Sequence, residues 1–127
     1  MQWSKNMQLI DANVILRCIL DDYPEMTEQA IKVINNGAYT KPEIIAEVVY
    51  VLQKVYSVQR QQIKAMLNQI LDLVFCSEEK SVRYALNLYA DVALDFVDCL
   101  LVAYNKINKE KVFSFDKKLN KYIGAFF

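Results

Sequence analysis

The sequence has 127 residues, 54% of them apolar and 24% charged, and its formal net charge is zero. That length makes one domain with room for a real core, and two Gly and two Pro without any low-complexity segment argue against disorder. Histidine is absent, which closes Ser-His-Asp and Cys-His catalysis and most zinc chemistry.

The apolar runs are too short, and too often broken by charges, to cross a bilayer. Met1 to Asn6 lack the apolar segment of a signal peptide and read as a solvated lead-in to a single domain spanning 1–127. A cytoplasmic protein is the expectation. Cys18, Cys76 and Cys99 are widely spaced among apolar neighbours and read as buried thiols, not as a disulfide framework or redox pair. From Lys106 onward six lysines face only Glu110 and Asp116, a balance of +4 against −4 for the first 105 residues. Such a basic end could be a nucleic-acid footprint, although a solvated lysine face is the commoner explanation.

Met7-Gln8-Leu9-Ile10 runs straight into Asp11. A run that short suits a buried strand, with Asp11 at its carboxyl end, where open α/β sheets place their ligand sites. Asn13 to Leu20 reads as a short helix ended by Asp21-Asp22-Tyr23-Pro24, and Pro24 can open the next helix. Met26, Ala30, Ile31, Val33 and Ile34 give that helix an apolar face, with Gly37 just past its end. Ala38 and Tyr39 suit a minimal second strand. Thr40-Lys41-Pro42-Glu43 has the pattern of a capping box, with Thr40 as N-cap. The helix it starts runs through Leu52 and is apolar all round except at Glu47, so deep packing is expected.

From Gln59 to Leu73, residues Ile63, Met66, Leu67, Ile70 and Leu71 line one helical face. Val74-Phe75-Cys76 reads as a strand, and Ser77 as the cap of a helix reaching about Tyr89. Asp95 begins a helix in which Phe96, Val97, Leu100, Leu101 and Val102 argue burial. Lys111-Val112-Phe113-Ser114-Phe115 reads as a last strand ending on Asp116, as the first strand ends on Asp11. Strands alternating with helices predict a three-layer α/β/α domain with a mainly parallel sheet.

Asp11, Glu47, Asp98 and Asp116 stand apart because their neighbours are apolar. Carboxylates gathered in one crevice repel unless a cation neutralises them, and hard oxygen donors suit Mg²⁺ or Mn²⁺. Each acid also has a plainer reading. Asp11 and Asp116 could cap the helices that follow, and Glu47 could point into solvent. Asp95 and Asp98 form an N-cap and N3 pair; capping suits Asp95 better, while Asp98, one turn in, is the better ligand.

Four stretches carry a family resemblance: Leu9 to Arg17, Ala46-Glu47-Val48-Val49, Asp95 to Ala103, and Phe113-Ser114-Phe115-Asp116. In that order and at those intervals they resemble PIN-domain ribonucleases, especially the toxins of VapBC-type toxin–antitoxin pairs. The resemblance spans residues 7–122. It implies a PIN-like fold and an Mg²⁺- or Mn²⁺-dependent ribonuclease in which Asp11, Glu47, Asp98 and Asp116 bind metal. It also implies that Asn13, with Asp95, supports those carboxylates from behind and that Ser114 helps hold metal or water. Arg17, Lys117 and Lys118 are then candidate phosphate contacts, Arg17 being equally a surface residue or an antitoxin contact. A cognate antitoxin and a homodimer follow from the same resemblance, with the apolar hairpin from Val48 to Leu71 as the surface for either. The departure is Ala12, where Thr or Ser is more usual. Two rivals stay open: a non-catalytic PIN-like binding module, and a phosphohydrolase with a nucleophilic aspartate. The second lacks the usual second Asp, since position 13 is Asn.

Overall fold

A computed structural model describes residues 6–124 of the chain, so most of the 1–6 lead-in lies outside the described residues. Chain order is β1 (Gln8–Leu9), α1 (Ala12–Leu20), α2 (Pro24–Asn35), β2 (Ala38–Thr40), α3 (Pro42–Lys54), α4 (Arg60–Leu73), β3 (Phe75–Cys76), α5 (Glu79–Asp91), α6 (Phe96–Asn108) and α7 (Lys117–Asn120). The strands form one parallel sheet in the order β1-β2-β3, with Leu9 beside Tyr39 and Thr40 beside Cys76. Parallel pairing needs a crossover, and helices supply both: α1 and α2 between the first two strands, α3 and α4 between the next two. The expected α/β class is what the structure shows.

The core lies where α3, α4, α5 and α6 meet. Ile45, Val48, Leu52, Ile63, Leu67 and Leu86 are fully buried there. Tyr89 joins them, its ring edge-on to Phe96 at 5.9 Å and its hydroxyl donating to Gln53 Oε1 at 2.8 Å. Burying the phenol therefore leaves no polar atom stranded. At the turn after α2, Gly37 takes φ 104°, a left-handed value that a side chain would resist, and its N–H donates to Ile34 O. No helix among the described residues is long and apolar enough to cross a membrane.

Several local expectations fail, each for a physical reason. β1 is an edge of the described sheet, not its middle, and Gln8 and Leu9 are exposed. The capping box does not form, because Pro42 takes the first helical position and makes Lys41 the N-cap. Thr40 instead extends β2. Ser77 does not cap α5 either: its N–H donates to Thr40 O across the sheet, and Glu78 in a left-handed conformation precedes the helix. On α2 the buried stripe is Thr27, Ala30 and Ile34, while Met26 and Ile31 stay exposed. Lys111 to Phe115 is no strand, and Phe113 and Phe115 are 82% and 92% exposed, packed edge-on against each other at 5.1 Å. β-propensity favours a strand only where a sheet supplies a partner.

Thr40 offers a stability test. Its Oγ1 is buried without a hydrogen-bond partner among the described residues, an arrangement that costs about 1–3 kcal/mol. Thr40→Val keeps the shape and removes the stranded hydroxyl, so urea unfolding is expected to show a gain of about 1 kcal/mol. A loss would mean that the hydroxyl is satisfied in solution.

Candidate functional site

Every candidate acid sits at or near the start of a helix. Asp11 follows β1 and is the N-cap of α1, its Oδ1 accepting from Val14 N at 3.1 Å. Glu47 lies in the second turn of α3 and is exposed, so the helix is not buried on all sides. Its sequence neighbours are aliphatic, but the helical period puts Glu43, Glu47 and Tyr50 on one outward face. Asp98 is in the first turn of α6 and half-buried. Asp116 is the N-cap of α7, and its Oδ1 accepts from Lys118 N at 2.8 Å and Leu119 N at 3.3 Å. The capping readings of Asp11 and Asp116 thus hold as geometry, and each leaves carboxylate oxygen for a ligand. Asp95 occupies the N-cap position of α6, yet its side chain makes no cap bond.

α3 packs against both α1 and α6, which brings the helices bearing Asp11, Glu47 and Asp98 together. The clearest electrostatic meeting is between α6 and the last segment. Burial pushes the Asp98 carboxyl above its ordinary range, and the charges of Asp116 and Asp95 add to the push. Ser114 braces this segment, its Oγ accepting from Asp116 N–H at 2.9 Å and its carbonyl from Asn120 at 2.8 Å. Asp11 opens onto a different cavity, lined with Leu9, Val14 and Val33. Asn13 is exposed and makes no hydrogen bond to Asp11 among the described residues.

The donor set fits a hard divalent cation in chemistry: carboxylates that already repel one another, a hydroxyl close by and no imidazole. In spacing it is open. Among the described residues no three Asp, Glu, His or Cys side chains stand close enough to share a metal ion. A cation held by three or more of these acids must therefore draw them inward.

Two cations hold the approach to Asp95 and Asp98. Arg60 Nη1 donates to the carbonyls of Tyr89, Val92 and Leu94 at 3.0, 3.0 and 2.7 Å, and its guanidinium lies 4.1 Å from the Tyr89 ring centroid. Lys118 Nζ donates to Ala93 O at 3.2 Å, tying α7 to the same connection. Sequence reading missed Arg60, which looks like an ordinary helix start. Lys117 and Lys118, the candidate phosphate contacts, are both exposed, and the Lys118 ammonium also bonds within the chain. Arg17 is not at the surface. It is buried, paired with Asp22 at 2.8 Å, and its guanidinium lies 4.9 Å from the Tyr23 ring centroid.

The cysteines take no part. Cys76 and Cys99 are free and buried, and burial pushes both thiols up to about 12; Cys18, half-buried, is raised for the same reason.

The sequence profile of the PIN domain family matches residues 9–124. Over 123 residues the chain is 30% identical to a VapC ribonuclease of Aquifex aeolicus (strain VF5), covering 91% of this chain and 91% of that protein. No solved structure matches the chain. The match takes in both helix-capping aspartates, Glu47 and the α6 acids, and the parallel sheet with its helical crossovers agrees with it: the chain belongs to the PIN domain family.

Proposed function

We propose that this protein is a metal-dependent endoribonuclease of the cytoplasm, the toxin of a type II toxin–antitoxin pair. The observation that carries the reading is the PIN family match over residues 9–124, which takes in Asp11, Glu47, Asp98 and Asp116; the Asp98 carboxyl, raised by burial and then by the charges of Asp116 and Asp95, agrees with it. Similarity to a VapC ribonuclease over 91% of the chain supports the substrate class.

On this reading Asp11, Asp98 and Asp116 hold Mg²⁺ or Mn²⁺, and Glu47 binds the metal or orients the attacking water. Bound there, the metal lowers the pKa of water and offsets charge on the scissile phosphate. Ser114 keeps Asp116 in place through its backbone N–H. Asn13 and Asp95 support the neighbouring acids, and Lys117 and Lys118, both exposed, are the candidates for a phosphate contact. Without histidine, the acid–base route that uses imidazoles is closed.

Val48, Leu52, Ile63, Leu67, Ile70 and Leu71 of the apolar hairpin are buried within the domain itself. Tyr50, 62% exposed, with Val55 and Tyr56, is what remains on the hairpin for a second copy of the chain. For the antitoxin, a groove of about 320 Å³ between α1, α2 and α4, with Ile19, Ile31, Met66 and Leu73 in its walls, offers an apolar segment a seat.

The test is cleavage of an RNA panel with Mg²⁺, Mn²⁺ or a chelator, using wild type and Asp11→Asn. Wild type is expected to cut only with metal, and the variant to lose most of that activity. Equal cleavage by both proteins would remove the activity from the Asp11 site and overturn the reading, and none by wild type with either metal would favour the non-catalytic binding module.

A further inference from the structure

Asn105 is fully buried on α6, beside Val102 and Ala103. A primary amide in such surroundings is costly unless its hydrogen bonds are made. Here they are made to two distant points of the same segment. Nδ2 donates to Glu110 O at 2.9 Å and to Gly124 O at 2.8 Å, and Oδ1 accepts from Gly124 N–H at 2.8 Å. One side chain thus fastens both the place where the chain leaves α6 and the place to which it returns. Everything between, including Ser114 and Asp116, is a loop closed on Asn105.

The helix geometry gives this closure a direction. Asn105 lies seven residues after Asp98, two turns along the same face of α6 and about 10 Å away along the axis. The loop is pinned at the Asn105 end of that face. At the other end, Lys118, two residues after Asp116, ties to Ala93 O in the connection that enters α6 ahead of Asp98. We infer that Asn105 is a positioning residue, the buried amide that sets where Asp116 stands relative to Asp98. The inference rests on the metal-site reading proposed above for these two acids.

The variants are Asn105→Ala and, at the other end of the same bonds, Gly124→Pro, which removes the N–H donor without touching the α6 core. The readouts are amide hydrogen exchange by mass spectrometry and Mn²⁺ binding by calorimetry. Exchange over residues 111–119 is expected to quicken at least tenfold while residues 63–71 of α4 keep their protection. Mn²⁺ affinity is expected to fall about tenfold, as when a group supporting a metal ligand is lost, and cleavage to recover at high Mn²⁺. Equal quickening in α4 would make Asn105 a stability residue only, in which case Gly124→Pro decides. Unchanged exchange over 111–119 in Gly124→Pro would overturn the inference. If wild type binds no Mn²⁺ at all, the metal-site reading fails on its own, and hydrogen exchange alone decides the positioning role.

Discussion

Asp98→Asn is expected to lower metal-dependent RNA cleavage by about a thousandfold, the equivalent of ~4 kcal/mol of lost transition-state stabilisation. An amide keeps the shape of the carboxyl but brings no charge to a cation, and Asp98 is the acid on which two others bear. Steady-state cleavage at saturating Mg²⁺ measures the loss; a decrease below tenfold would remove Asp98 from the metal site. The same substitution is expected to stabilise the protein when metal is absent. The Asp98 carboxyl sits above its ordinary value of 3.8, because of burial first and of Asp116 and Asp95 second. Between that value and the raised one, the folded state binds more proton than the unfolded chain, so stability falls as pH rises through the window and stays lower above it. Asparagine has no such dependence. The unfolding midpoint of Asp98→Asn should exceed that of wild type at neutral pH, and the gap should close below about pH 4. Stability given up for function in this way is common at sites that gather like charges.

Arg60→Met is expected to cost on the order of 3 kcal/mol of folding stability, read by urea unfolding. The methionine keeps much of the apolar stem but leaves the carbonyls of Tyr89, Val92 and Leu94 without the cation that now meets all three. It also gives up the guanidinium stacked on Tyr89, which is among the largest fully buried side chains. Hydrogen bonds to a charged donor contribute about 1.5–3 kcal/mol each and do not add fully when shared by one nitrogen. A cost under about 1 kcal/mol would show that water replaces the guanidinium freely. Because the three carbonyls shape the entry to α6, the variant should also lose activity beyond what its folded fraction explains.

The local structure around Asp11 was legible because a short apolar run ending in a carboxylate is unusual, and this run is a strand followed by a capped helix. The run ending at Asp116 misled about its strand: Val112, Phe113 and Phe115 have the right propensity, but nothing in the described sheet pairs with them. Glu47 was read as surrounded because its sequence neighbours are aliphatic, whereas burial on a helix depends on residues three and four positions away. Arg60 and Asn105 could not be found from sequence at all. Their partners are backbone groups, most of them far along the chain, and a backbone group leaves no mark in residue identity. The α/β class was readable because alternation of short apolar runs with helical periodicity is a pattern of the whole chain and survives local errors.

Calorimetric titration of Mn²⁺ into wild type, Asp98→Asn and Asp116→Asn at neutral pH tests most directly whether acids from distant parts of the chain hold one cation. Wild type should bind Mn²⁺ with a resolved heat, since a cation offsets the charges of Asp116 and Asp95 that bear on Asp98. Each variant should bind at least tenfold more weakly. Three identical isotherms, or no binding heat from wild type at millimolar Mn²⁺, would contradict the account.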